Sequence, residues 1–527
     1  MVHLAAVKKD DEVVDHLARQ VESIGGPPDE NDYYTNVYGS HFAADHMPQH
    51  EMPEREMPRQ VAARLIKDEL SLEWKSQAQV CGVRIAEESN ELQLTVFPSC
   101  SLASFVTTYM EEEIEQIMTD SFSKNFIDYE EYPHSAEIQN RCVNMIARLF
   151  NCPTDPNAEN AMGTSTIGSS EAIMLGTLAM KKRWQNKRKA EGKDFSRPNI
   201  VMNSAVQVCW EKAARYFDIE ERYVYCTDSR YVIDPKQAVD LIDENTIGIC
   251  AIIGTTYTGE YEDVKGINDL LVERNIDCPI HVDAASVPDL EWDFRLEKVV
   301  SINVSGHKYG LVYPGVGWVI WRSPEYLPQE LVFNINYLGA DQASFTLNFS
   351  KGAAHVIGQY YQLIRLGKHG YRSIMVNLTR IADYLTQELE KLGMIIMSQS
   401  KGKGLPLVAF RLPPNNNRVF DEFAVAHQLR ERGWVVPAYT MAPHSEKLQL
   451  MRIVIREDFS MNRCDSLLTD IKLALQTLES MDEGMIAKYK AHIQSHRAHP
   501  RNKRTHHAYH GEKHSLQGKT GKTHGVC

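Results

Sequence analysis

Short apolar runs separated by longer stretches of helical spacing dominate the middle of this chain. Between about Leu102 and Arg365 the runs are Asn199 to Met202, Thr246 to Ile253, Pro279 to Val282, Val299 to Val304 and Val316 to Trp321. Each reads as a strand, and strands alternating with helices predict a mostly parallel sheet covered on both faces. Ligands of such sheets sit beyond strand C-terminal ends, which is where Thr256, Asp283 and Lys308 fall. A helix from about Ala353 past Gly370 is expected to bridge to a smaller domain, about Ser373 to Glu479, with strands near Leu407 to Phe410 and Leu450 to Ile455. Before this body lies a polar arm to about Arg59, and helical spacing begins near Gln60 to Ile66. Beyond Gly484 the chain turns basic and histidine-rich with little apolar period, which predicts disorder. The expected organisation is therefore residues 1–101 as arm and extra segment, 102–372 as a large α/β domain, 373–480 as a small C-terminal α+β domain, and 481–527 as a tail.

Composition narrows the function classes. A chain of 527 residues with 43% hydrophobic content can bury a large core. Its formal net charge of -13 disfavours nucleic acid and anionic membranes and favours a small-molecule substrate. The 10 cysteines are scattered without a C-x-x-C pair, which predicts reduced thiols in the cytoplasm and no zinc site. The start, Met1 to Asp11, becomes charged before an apolar region forms, so no secretory signal is expected there. No apolar run is long enough to span a bilayer.

Candidate chemistry concentrates in three places. Ser305-Gly306-His307-Lys308 puts a lysine just after an apolar strand, and His281-Val282-Asp283-Ala284-Ala285 puts an acid at the end of an earlier one. Alone, Lys308 is a solvated strand-end lysine and Asp283 a turn-capping carboxylate. Together they suit pyridoxal 5′-phosphate, whose aldehyde is carried by an amine and whose ring nitrogen is kept protonated by a carboxylate. The third place is Gly168-Ser169-Ser170-Glu171-Ala172, a hydroxyl-rich turn opening a helix, where free NH groups and the positive helix end make a phosphate cup.

From Leu102 to Glu479 the chain resembles the group II pyridoxal-phosphate-dependent glutamate decarboxylases, in the form shared by bacteria, plants and fungi. The matching motifs are Leu102-Ala103-Ser104-Phe105, Asn125-Phe126-Ile127-Asp128, Glu130-Glu131-Tyr132-Pro133, Thr166 to Ala172, Thr256-Tyr257-Thr258-Gly259, Trp292 to Leu296, Ser305 to Gly310 and Leu347-Asn348-Phe349-Ser350. The resemblance implies the aspartate-aminotransferase fold (fold type I), pyridoxal phosphate as cofactor, and conversion of L-glutamate to 4-aminobutanoate and CO2. It implies Lys308 as the aldehyde-bearing lysine, Asp283 at the ring nitrogen, Ala285 on the ring face, Gln207 against the ring and Thr256 beside it. Ser169, Ser170, Ser305 and His307 would hold the phosphate, with Ser350 reaching in from a neighbouring subunit, so the active unit would be at least a homodimer. Arg452 would hold the α-carboxylate; Ser104, Phe105 and Asp128 would meet the distal one; Lys308 or His307 would return the proton to Cα. Taken singly, Gln207 and Thr256 are ordinary polar loop residues, Arg452 a surface strand residue, Ser104 and Asp128 helix caps and Phe105 a core aromatic.

The chain departs from this family in two places. After Asp283-Ala284-Ala285-Ser286 the family's glycine-containing, apolar loop is missing and Val287-Pro288 follows directly. Between Glu73 and Ser101 lies a segment without a counterpart. A second reading is therefore a splice or gene-model variant that binds cofactor and turns over poorly; an aminotransferase or another decarboxylase is disfavoured by Gln207 and the glutamate-pocket motifs. The basic tail from Lys488 to Lys522 sits where plant members bind calmodulin, yet it has no Trp and Pro500 interrupts it, so a solvated tail is the better reading.

Overall fold

The structure, a computed structural model, describes residues 101–489 apart from 108, 154–159, 285–290, 336–341, 416–417 and 487. The chain divides into two units, Met1–Val96 and Phe97–Cys527, and all described residues belong to the second. The N-terminal arm, nearly all of the extra segment, Ala285 with the shortened turn after it, and the tail beyond Tyr489 lie outside the described residues.

A 7-stranded sheet forms the large domain. Its strands are β1 (Gly163–Thr166), β2 (Asn199–Asn203), β3 (Glu220–Val224), β4 (Thr246–Ile253), β5 (Ile280–Ala284), β6 (Val299–Ser305) and β7 (Gly317–Trp321), in the order β1-β7-β6-β5-β4-β2-β3. Neighbours from β3 through β6 run parallel, and β7 runs antiparallel to both β6 and β1. Helices α1 (Glu112–Asp120), α2 (Pro133–Leu149), α3 (Ser169–Ala190), α4 (Val208–Tyr216), α5 (Pro235–Asp240) and α6 (Val264–Glu273) cover it. Because successive side chains point to opposite faces, the apolar runs split between two cores. Val201, Ile249, Ala251, Val282 and Ile302 pack with α2 and α6, whereas Ile200, Met202, Cys250 and Ile252 pack with α3 and α4. All five predicted runs are strands. β1 and β3 were not legible, since Gly-Thr-Ser-Thr has no large apolar side chain and Glu-Glu-Arg-Tyr-Val is a polar edge.

The predicted bridging helix is α7 (Ala354–Lys391). Gly367 interrupts it with φ 57°, a left-handed backbone that glycine adopts without steric cost. Val356 before the break belongs to the large core, and Leu378, Leu385 and Leu389 after it belong to the small domain. There a 4-stranded antiparallel sheet packs on α8 (Glu422–Glu431) and α9 (Met461–Glu479). Its order is β10 (Ile395–Ile396), β11 (Leu407–Arg411), β13 (Gln449–Val454), β12 (Ala438–Thr440); β8 (Phe333–Ile335) and β9 (Gln342–Ser344) form a separate hairpin. Val408, Phe410, Met451 and Ile453 face the small core, while Leu407, Ala409, Leu450 and Val454 join Phe105 in a second cluster, which puts Arg452 on the Phe105 side of β13. The chain stays ordered a little past α9: Ile486 is buried, and the Tyr489 hydroxyl accepts from Gln428 Nε2 at 2.7 Å.

Candidate active site

Lys308 follows the C-terminal end of β6, and its backbone is fixed from a distant segment. Thr107 donates its NH to the His307 carbonyl and its hydroxyl to the Lys308 carbonyl, both at 2.9 Å. That segment also carries Phe105, whose ring centroid lies 5.5 Å from Lys308 Nζ and 4.7 Å from the Arg452 guanidinium. Arg452 is fully buried; it donates to the carbonyls of Ala103, at 2.7 Å, and Thr256, and it also faces Tyr439. Burial lowers its pKa from the usual value. No carboxylate is among its described partners, and its Nε has no hydrogen-bond partner in the structure. Ser104, half-buried, stands between two residues that touch Arg452.

Asp283, next to last in β5, lies half-buried beneath α3 and α4. Trp210 Nε1 donates to its Oδ2 at 3.1 Å and Asn303 Nδ2 to its Oδ1 at 2.8 Å. The same Asn303 nitrogen reaches Ser169 Oγ at 2.7 Å, so the acid and the serine turn share one amide. Gly168 caps α3, and a Cβ on Gly317 would lie 2.5 Å from its carbonyl carbon, so β7 holds the turn against the sheet. Glu171, in the first turn of α3, reaches back to the Ile167 NH at 2.8 Å and across to the Leu347 NH at 2.9 Å. Ser170 is exposed, Ser305 buried, and His307 Nδ1 sits 3.2 Å from the Val316 carbonyl. Burial and then Lys308 depress the His307 pKa, favouring the neutral ring. The Gln207 side chain caps α4 by accepting from Cys209 NH at 2.7 Å.

Asp128 and Ser350 form a separate group. Asn125 Nδ2 donates to Asp128 Oδ2 at 3.0 Å and lies 3.4 Å from Ser350 Oγ. The group is anchored at the β1 edge, where the half-buried Lys351 ammonium bonds the carbonyl and hydroxyl of Ser165 at 2.6 and 3.0 Å. Burial lowers the Lys351 pKa to about 8. Among the described residues no hydrogen bond or ring contact joins Asp128 or Ser350 to Phe105, Lys308 or Arg452. The described contacts thus gather nine of the sequence-named residues into three groups: Ser104, Phe105, Thr256, Lys308 and Arg452; Asp283 with Ser169; and Asp128 with Ser350.

Sequence reasoning missed the supports. Thr107, Trp210, His281, Ser301 and Asn303 are among them, and so is Glu262, a buried carboxylate that accepts from Asn203 Nδ2 and Ile252 NH, both at 2.7 Å, and from Ile233 NH at 3.1 Å. Asn203 in turn holds the Ala205 NH in the turn that leads to Gln207. The donor set suits pyridoxal phosphate: hydroxyls and free NH groups at the start of α3, a carboxylate bonded only by neutral donors, and a lysine amine facing an aromatic ring.

Residues 79–413 match the family model described as the pyridoxal-dependent decarboxylase conserved domain. The chain is 54% identical over 412 residues to a glutamate decarboxylase of Petunia hybrida, an alignment covering 76% of this chain and 82% of the relative. It is 45% identical over 411 residues to the glutamate decarboxylase of Lactococcus lactis subsp. cremoris, covering 75% and 85%. Among solved structures, a Lactobacillus brevis glutamate decarboxylase superposes with TM-score 0.76 at 39% identity, over 85% of this chain and 99% of that one. A Burkholderia pseudomallei sphingosine-1-phosphate lyase, at 18% identity and TM-score 0.66 over 87% and 98%, shares the fold.

Burial pushes the Glu262 carboxyl up from its ordinary 4.5 to about 7, with its NH donors opposing the shift. The folded state therefore binds more protons than the unfolded one between these values, and this contribution to stability is full below about 4.5 and lost as pH rises through about 7. Unfolding in urea across this range should show the advantage of the natural chain over Glu262→Gln shrinking by about 3 kcal/mol as pH rises. An advantage that grows with pH would mean the NH donors outweigh burial.

Proposed function

The chain belongs to the pyridoxal-dependent decarboxylase family, and from that premise we propose that it removes the α-carboxyl group of L-glutamate as CO2, leaving 4-aminobutanoate. The observation that carries this reading is Arg452: a fully buried guanidinium with aromatic neighbours, two backbone carbonyls and, among the described residues, no carboxylate partner is a site prepared for a carboxylate from outside. Bound pyridoxal 5′-phosphate supplies an electron sink for the pair left at Cα when CO2 departs. Ser169, Ser170, Ser305 and His307, with the NH groups opening α3, would hold its phosphate; Asp283 would hold the proton at its ring nitrogen, and Gln207 and Thr256, with Ala285 from outside the described residues, are the groups the family resemblance assigns to the ring. Lys308 would hold its aldehyde carbon through the side-chain amine. Lys308 or His307 would return the proton to Cα.

Ser104, Phe105 and Asp128 meet the distal carboxylate in this reading, and Ser350 serves a neighbouring subunit. Asn125 ties Asp128 to Ser350, so an Asp128 that serves a site serves the partner's site too. Exposed Ile167, Leu347 and Phe349, held beside the serine turn through the Glu171 carboxylate, supply apolar surface for that homodimer or a larger homo-oligomer. The free cysteines, most of them buried, suit the cytoplasm. Among the described residues no helix is long and apolar enough to cross a membrane. Calmodulin has little support in the tail sequence.

Arg452→Lys keeps the charge but loses the fork that reaches two carbonyls and a carboxylate together, so kcat/KM for glutamate should fall about 100-fold or more. A value within about twofold of the natural chain would remove Arg452 from the site. Mixing refolded Lys308→Ala and Asp128→Ala chains, each inactive alone, should restore activity toward about a quarter of the natural level, since a mixed dimer holds one intact site. Mixtures as inactive as their parents would place Asp128 and Lys308 of one chain in the same site.

A further inference from the structure

Polar residues recur with a spacing of two inside strands that otherwise carry the core. His281 and Asp283 alternate on β5, and Ser301, Asn303 and Ser305 on β6, so each set shares one face. The strands pair with His281 opposite Ser301 and Asp283 opposite Asn303. Helix α3 lies on this face so closely that a Cβ on Gly176 would stand 2.5 Å from the His281 ring. His281, Ser301 and Asn303 have no solvent exposure, and a polar group in such a place must find partners within the protein.

They find them in one directed chain. Asn303 Nδ2 faces Asp283 Oδ1 and Ser169 Oγ, while its Oδ1 faces His281 Nε2 at 2.7 Å. Turning the amide over would set an oxygen against the Asp283 carboxylate, so Oδ1 must accept and His281 Nε2 must carry the hydrogen. His281 Nδ1 then accepts from the Ser301 hydroxyl at 2.7 Å. Burial lowers the His281 pKa, in keeping with this neutral ring. Trp210, edge-on to His281 at 5.2 Å between ring centroids, closes the other side of Asp283. Both of its described donors are neutral, so among the described residues the carboxylate is directed without a paired cation.

We infer that Asn303, oriented by His281 and Ser301, is a positioning residue that aims the Asp283 carboxylate at the cofactor's ring nitrogen and ties that aim to Ser169 at the phosphate turn. This rests on the placement of Asp283 at the ring nitrogen proposed above. Asn303→Leu keeps the side-chain size and removes every bond.

The test uses the full chain stripped of cofactor and titrated, by protein fluorescence, with pyridoxal phosphate and with its carbocyclic analogue, in which CH replaces the ring nitrogen. The natural chain should prefer the true cofactor, Asp283→Ala should lose that preference, and Asn303→Leu should reduce it roughly tenfold, because a misdirected carboxylate no longer distinguishes the nitrogen. Circular dichroism melting accompanies each titration, and Asn303→Ser carries the same comparison if the leucine variant does not fold. Loss of preference in Asp283→Ala with full preference in both Asn303 variants would overturn the inference and leave the role of Asp283 standing. Full preference in Asp283→Ala would overturn that role and the inference with it.

Discussion

A guanidinium taken out of water with no carboxylate to meet it among the described residues is the constraint on which this molecule turns. Removing a full charge from water costs several kcal/mol even after relaxation, so Arg452 stays buried only because other groups surround it closely. Those groups come from three parts of the chain: the Ala103 carbonyl and Phe105 ring, the Thr256 carbonyl, and Tyr439 of the small sheet. One cation thus fastens the small domain, the strand-end loop after β4 and the segment before α1 around a common point. The same segment holds the Lys308 backbone through Thr107, so the groups assigned to the carboxylate and to the aldehyde share a support. An incoming carboxylate completes a coordination that the protein leaves unfinished.

The opposite charge is handled in a different way. Asp283 is given neutral donors and one open side, and the cost of burying its supports is met by a chain of hydrogen bonds in which each member has one consistent direction. Glu262 fixes the neighbouring strand ends, taking NH groups from both Ile252 and Ile233 while Asn203 steadies the turn before α4. Both carboxylates stand near the C-terminal ends of parallel strands, where the topology opens a cleft.

Much of this was legible in the sequence because strand burial writes itself as apolar runs. Asp283 and Lys308 stood out because they interrupt such runs at their ends. Asn303 lay inside the run Val299 to Val304 and was absorbed into it, although its spacing of two from Ser301 and Ser305 marks a polar face. β1 escaped because its burial comes from the helices and strands around it and not from its own small side chains. Arg452 looks like a surface arginine in the sequence; only the fold, by alternation along β13, turns it toward Phe105. Glu262 has no signal at all, since nothing local tells a buried carboxylate from a solvated one. That Asp128 shares its hydrogen bonds with Asn125 and, through it, with Ser350 is a matter of tertiary placement that motif matching does not record.

The most direct test of the account is the balance of products from L-glutamate. The full chain supplied with pyridoxal phosphate should release CO2 and 4-aminobutanoate in equal amounts, with no 2-oxo acid, and a chain carrying Lys308→Ala should release neither. Glutamate consumed with transfer of its amino group, or left untouched by a chain that binds the cofactor fully, would contradict it.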